Sequence, residues 1–142
     1  MQEWALWALA SAVFAALTAI FAKVGLEGVD SNFATFIRTL VIAAALILFL
    51  TYAKKWQPLG ELSARNWVFL TLSGLATGAS WLAYFKALQI GSASQVAPID
   101  KLSVVLVVVF AVIFLGERPS VREWIGIALI ASGVFTLVFV DK

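Results

Sequence analysis

A chain of 142 residues that is 63% hydrophobic and only 13% charged, with a mean hydropathy of +1.00, has too little polar surface to cover a soluble globule of its size. The formal net charge of +2 is spread along the chain with no basic tract, which excludes a nucleic-acid-binding surface. Cys and His are both absent, and with them go disulfides, thiolate chemistry, imidazole bases and the usual zinc ligands.

A hydrocarbon core about 30 Å thick needs about 20 helical residues to cross it. Five apolar segments of that length are predicted, at residues 4–24, 32–53, 66–88, 96–115 and 121–140, so the fold class is an all-α integral membrane bundle of five transmembrane helices in one domain, 1–142. The first segment has no positive charge ahead of it and runs on to full span length, which reads as an uncleaved helix and not a secretory signal. Its Ala8, Ala12, Ala15 and Ala19 form a packing face, and Lys23, near its end, is expected to snorkel to the headgroups. "GLEGVDS" then breaks the chain with two Gly and a capping Asp or Ser.

The second segment carries Arg38 about two turns in, and "KKWQPLGELSAR" ends it with Pro58 and Gly60. In the third, Ser73, Thr77, Ser80 and Tyr84 recur at helical spacing as one hydroxyl stripe. Gly74 and Gly78 make a GxxxG pair beside it, continued by Trp81 and Phe85, and the spacing favours tight helix packing. The fourth opens after "QIGSAS" and carries Asp100 and Lys101, with Pro98 read as a first-turn proline. "GERPS" separates it from the fifth, where Gly126 and Gly133 point to another helix contact.

An odd number of spans puts the termini on opposite faces. Trp4, Trp7, Trp56, Trp67 and Trp124 all fall near the face of the N-terminus, as interfacial anchors do. Trp81 lies too deep for that belt. Lys54, Lys55, Arg65, Arg118 and Arg122 share the N-terminal face, against Lys23, Arg38, Lys86, Lys101 and Lys142 towards the other. This near balance permits insertion in both directions, with a preference for the N-terminal face in the cytoplasm once helix-buried charges are discounted.

Arg38, Lys86, Asp100 and Lys101 gather at one depth. An Arg or Lys at mid-bilayer costs about 2.5–3.5 kcal/mol on insertion scales, so such groups face a bundle interior or a wet cavity. Adjacent helical residues point about 100° apart, which favours Asp100 pairing with Lys86 or Arg38 on a neighbouring helix. The candidate substrate-binding set is therefore Arg38, Ser80, Trp81, Tyr84, Lys86, Asp100 and Lys101. The positive lean of this mouth favours an anionic or zwitterionic substrate. No catalytic residue, metal site or cofactor is implied, because no His, Cys or pair of carboxylates at a common depth exists to carry enzymatic chemistry.

"KALQIGSASQVAPI", the apolar span after it, "LGERPS" and then "WIGIALIASGVFTLV" resemble the EamA domain of the drug/metabolite transporter superfamily, and "FIRTLVIAAALIL" around Arg38 is consistent with it. The most specific element is Leu115-Gly116-Glu117 at the close of the fourth span, where Glu117 sits at a turn and capping position. The resemblance covers nearly the whole chain; "DKLS" at Asp100 to Ser103 departs from the apolar or proline-bearing pattern of many relatives. It implies a carrier of small metabolites or drugs in a bacterial inner membrane, working by alternating access, with one chain supplying half of an inverted repeat. The expected partners are the lipid bilayer, a small-molecule substrate and a second copy, antiparallel or parallel. The alternative is a non-transporting small subunit or lipid-headgroup binder that acts with another protein.

Overall fold

The computed structural model describes residues 3–138. Among them there is no strand, and five helical stretches are long and apolar enough to cross a membrane. The chain divides into two compact units between Ile90 and Gly91. The first holds α1 (Glu3–Gly25), α2 (Ser31–Tyr52), a 3₁₀ turn (Leu59–Glu61) and α3 (Ala64–Ile90). The second holds α4 (Ala93–Asp100), α5 (Leu102–Phe110), a π-helical turn (Ala111–Leu115) and α6 (Val121–Val138). Predicted helix limits fall within three residues of these; residues 139 and 140, at the predicted end of the last helix, lie outside the described residues.

The helix starts follow from side-chain oxygens that meet otherwise unpaired first-turn N–H groups. Asp30 Oδ1 accepts from Asn32 N at 2.9 Å and Phe33 N at 3.1 Å, which settles the cap of α2 on Asp30 and commits that carboxylate to the backbone. Ser63 Oγ accepts from Asn66 N at 3.1 Å to open α3. Ser120 and Glu123 form a reciprocal capping box at α6: the carboxylate accepts from Ser120 N at 2.6 Å and from its hydroxyl at 2.7 Å. Ser92 plays the related part for α4. Its carbonyl accepts from Gln95 N and Val96 N at 3.1 and 3.0 Å, so the fourth span begins at Ala93, three residues before the predicted start.

That early start moves Pro98 out of the first turn and into the helix interior. A proline there has no N–H for the Ser94 carbonyl, and the helix gives way shortly afterwards at Lys101 (φ −70°, ψ −7°), where α4 ends and α5 begins. The expected first-turn proline is thus corrected to an interior one, in a fourth span that runs from Ala93 to Leu115 with a single turn residue at Lys101. The span closes at Gly116, whose φ of +69° lies in the left-handed region, and Glu117 N donates to Ala111 O at 3.2 Å across the widened last turn. The capping expected of Glu117 is carried out by its backbone N–H behind Gly116.

In the first unit α3 packs against both α1 and α2. The core sits at one end of these helices, where Ala19, Ala22 and Leu26 meet Ser31, Thr35, Phe85 and Leu88, all buried. The packing face of α1 is therefore Ala19 and Ala22, while Ala8, Ala12 and Ala15, expected to join it, are exposed. Polar ties close the same end. Lys23 Nζ donates to Leu88 O at 2.6 Å, meeting a last-turn carbonyl that α3 itself leaves unpaired, so the lysine turns inward where snorkelling was expected. Gln89 Nε2 donates to Val29 O at 3.0 Å across the turn between α1 and α2. Within the second unit α4 and α5 both pack on α6, with Ala111 and Val134 buried.

Among the described residues no atom lies within 4 Å of a Cβ built at Gly74, Gly78, Gly126 or Gly133, so the close helix approach that their spacing favours is not made within either unit. Two stability changes follow. Gly116→Ala forces an L side chain into the left-handed region and is expected to destabilise the protein by about 1–2 kcal/mol, read as a lower midpoint on titrating mixed micelles with SDS. Lys23→Met strands the Leu88 carbonyl and is expected to lose about 1–3 kcal/mol in the same titration, whereas Lys55→Met in the exposed α2–α3 connection stays within about 0.5 kcal/mol.

Candidate functional site

Because α1 and α2 each pack on α3 more closely than on one another, a cleft of about 490 Å³ runs between them. From α1 it is lined by Thr18, Phe21, Ala22 and Gly25, one stripe at helical spacing; from α2 by Phe33, Ala34, Ile37 and Arg38; and at its base by Phe85 of α3. All are apolar or small except Thr18 and Arg38.

Arg38 is the charge that a hydrocarbon surface would reject, and α3 supplies its shelter. Its guanidinium carbon lies 4.2 Å from the centroid of the Phe85 ring and 5.3 Å from that of Trp81. Trp81 and Phe85 stand four residues apart on one strip of α3, so both rings offer their π-clouds to the same cation, an attraction of about 2 kcal/mol when desolvated. Phe85 is itself 1% exposed and meets Tyr84 edge-on, the ring centres 5.8 Å apart. Arg38 makes no ion pair among the described residues, and its Nη1 is sealed from solvent with no hydrogen-bond partner.

Of the residues expected from the sequence, Arg38 lines the cleft, Trp81 holds Arg38, and Tyr84 braces Phe85. Ser80 is exposed on α3 and does not line the cleft. Lys86 is also exposed, with Nζ 3.4 Å from Gln89 Oε1, and so belongs with the ties at the helix ends. The hydroxyl stripe is partly spent: Thr77 donates to the Ser73 carbonyl of its own helix at 2.9 Å. Phe85 is the residue that sequence reasoning missed, although its spacing from Trp81 was the available signal. The α1 wall, Thr18 and Phe21, was missed as well, for the stripe carries no charge to mark it.

In the second unit Asp100 and Lys101 pair with each other, Oδ2 to Nζ 3.4 Å, both partly exposed. Asp100 was expected to reach Arg38 or Lys86; its ion-pair partner is instead its sequence neighbour. The pair stands where α4 gives way to α5 at Lys101.

Comparison with known proteins places this architecture. The model of the EamA-like transporter family matches residues 2–139. An uncharacterized transporter in the cobO 3' region of a Sinorhizobium sp is 54% identical over 136 residues, covering 96% of each chain. The uncharacterized transporter YxxF of Bacillus subtilis (strain 168) is 29% identical over 135 residues, which is 94% of this chain but only 42% of that one. No solved structure is significantly similar. With a family match that runs through both units and all five apolar helices, this chain is a multi-pass membrane protein that belongs to the EamA-like transporter family.

Proposed function

We propose that the protein is a secondary transporter of small metabolites or drugs in a bacterial inner membrane, assembled from two copies that enclose a polar cavity near the bilayer midplane and open alternately to either side. The observation that carries this reading is Arg38, a cation two turns into a membrane-spanning helix with no ion pair among the described residues, set in the wall of a ligand-sized cleft. A charge kept at such a depth against its insertion cost marks a pathway more often than a packing contact.

Length supports the two-copy assembly. The chain aligns to 42% of the Bacillus relative, so a transporter of that length has room for a second segment of this size, while the Sinorhizobium relative matches over 96% of its length. Two short chains then supply what one long chain holds. The outward apolar surface fits the same reading, since Trp7 and Phe14 stand more than 65% exposed on α1 alone and need lipid or a second copy against them. The near balance of positive charge between faces permits an antiparallel pair.

The broken fourth span supplies the second charged feature. Half-helix ends beside a charge recur at transporter sites, and the Asp100–Lys101 pair stands at such a break. On this reading the pair lies in the shared cavity and the substrate is anionic or zwitterionic.

Two measurements test the proposal. In liposomes reconstituted with purified protein, counterflow of the substrate found by ligand screening is expected to fall about 10- to 100-fold in Asp100→Asn and in Lys101→Gln, with expression intact. Unchanged flux in both removes the pair from the mechanism, and absence of flux from the wild-type chain with a second protein copurifying favours the non-transporting subunit. A C-terminal reporter active on one side of the membrane only is expected to give signal from both sides for the antiparallel pair, and from a single side for a parallel one.

A further inference from the structure

We infer that the α1–α2 cleft selects a monoanion with an apolar body, of which a carboxylate on a single ring or short chain is the simplest example, over a zwitterion of the same skeleton. This rests on the transporter reading and narrows it from anionic or zwitterionic to anionic.

The cleft has one pole. Among the described residues Arg38 is the only charged one in its lining; Phe33 and Ile37 accompany it on α2, and Phe21 lines the cleft from α1. Phe85 and Trp81 lie against the guanidinium and Nη1 is sealed from solvent, so the part of Arg38 that lines the cleft is what remains for an anion. A carboxylate brought there gains charge-assisted hydrogen bonds in surroundings poor in water.

The same lining disfavours an added ammonium. Among the described residues no Asp or Glu lines the cleft; of the two acids in the α1–α2 turn beside it, Asp30 is already accepting two N–H groups at the start of α2 and Glu27 is exposed. An ammonium on the ligand would surrender its water for aliphatic and aromatic walls and would share the cleft with Arg38 at like charge. The face of Phe85 is taken by Arg38, which leaves an ammonium only the phenyl rings of Phe21 and Phe33, weaker partners for a cation than an indole and no substitute for a carboxylate.

Size agrees with a small ligand. At about 490 Å³ the cleft falls within the range of small-molecule sites, about 300–1,000 Å³.

The test uses isothermal titration of the full chain in nanodiscs of zwitterionic lipid near neutral pH, with empty discs subtracted. The probes are 3-phenylpropionate, its neutral amide, phenylalanine as the zwitterion on the same skeleton, and acetate as the anion without a body. Saturable binding of 3-phenylpropionate is expected, with the amide, phenylalanine and acetate each at least about tenfold weaker, and with a loss of about 10- to 100-fold in Arg38→Gln. Lys55→Gln is expected to bind as the wild type does.

Phenylalanine binding as tightly as 3-phenylpropionate overturns the inference, as do equal affinity in Arg38→Gln and absence of binding by any probe. The ligand series on the wild-type chain keeps the question decidable if Arg38→Gln fails to fold. Abolition of binding in discs containing anionic phospholipid would assign the cleft to a lipid headgroup and overturn the free-ligand claim. Binding without flux would count against the transporter reading alone, and flux of another solute without binding here against this inference alone.

Discussion

Below the headgroups there is no water to complete a polar group, so each one must find its partner inside the protein. Much of the described structure is a response to that constraint. Thr35, Thr39 and Thr51 of α2 each donate to the carbonyl four residues back, at 2.8 Å, so these three hydroxyls return to their own backbone. Helix ends are closed by Asp30, Ser63 and the Ser120–Glu123 box. Where α3 runs out of donors, Lys23 of α1 supplies one at Leu88. Arg38 departs from this pattern in kind: its shelter is aromatic, and Nη1 remains without a hydrogen bond. Of the two buried side-chain atoms without a hydrogen bond among the described residues, Ser31 Oγ and Arg38 Nη1, the second belongs to a residue of the cleft.

The cleft and the core share a cause. Small residues at Ala19, Ala22, Ser31 and Thr35 allow the helices of the first unit to close around Phe85 and Leu88 at one end. Bulk at Phe21, Phe33 and Ile37 keeps α1 and α2 apart beside them, and all three side chains are exposed. Phe85 serves both regions: it fills the core and forms the base on which the cation rests. Its packing and its electrostatic part are therefore hard to separate by truncation, and Phe85→Ala would remove both at once.

The helices were legible because span length is a strong signal: five apolar runs of about 20 residues leave few alternatives. The charges were legible too, since Arg38, Asp100 and Lys101 stand out against apolar sequence. Their partners were not. Periodicity assigns a side chain to a face of its own helix but says nothing of which neighbour covers that face, and so Arg38 was matched to a carboxylate when it rests on Phe85 and Trp81. The start of the fourth helix was misplaced for a local reason. Ser92-Ala93-Ser94-Gln95 has the Ser and Gln spacing of a capping box, with Ser92 Oγ donating to Gln95 Oε1 at 2.7 Å, and reading it would have put Pro98 inside the helix from the outset.

That displaced proline bears on the Asp100–Lys101 pair. A proline in a helix interior costs about 3 kcal/mol or more relative to a regular helix, because it clashes with the preceding turn and strands a carbonyl. An ion pair between partly exposed neighbours returns about 0–1 kcal/mol in water, too little to offset this. In hydrocarbon the balance differs: each charge alone costs about 2.5–3.5 kcal/mol, and a pair whose ends meet presents the surroundings with something nearer a dipole. The pair stands just past Pro98, where α4 gives way to α5, with its ends 3.4 Å apart.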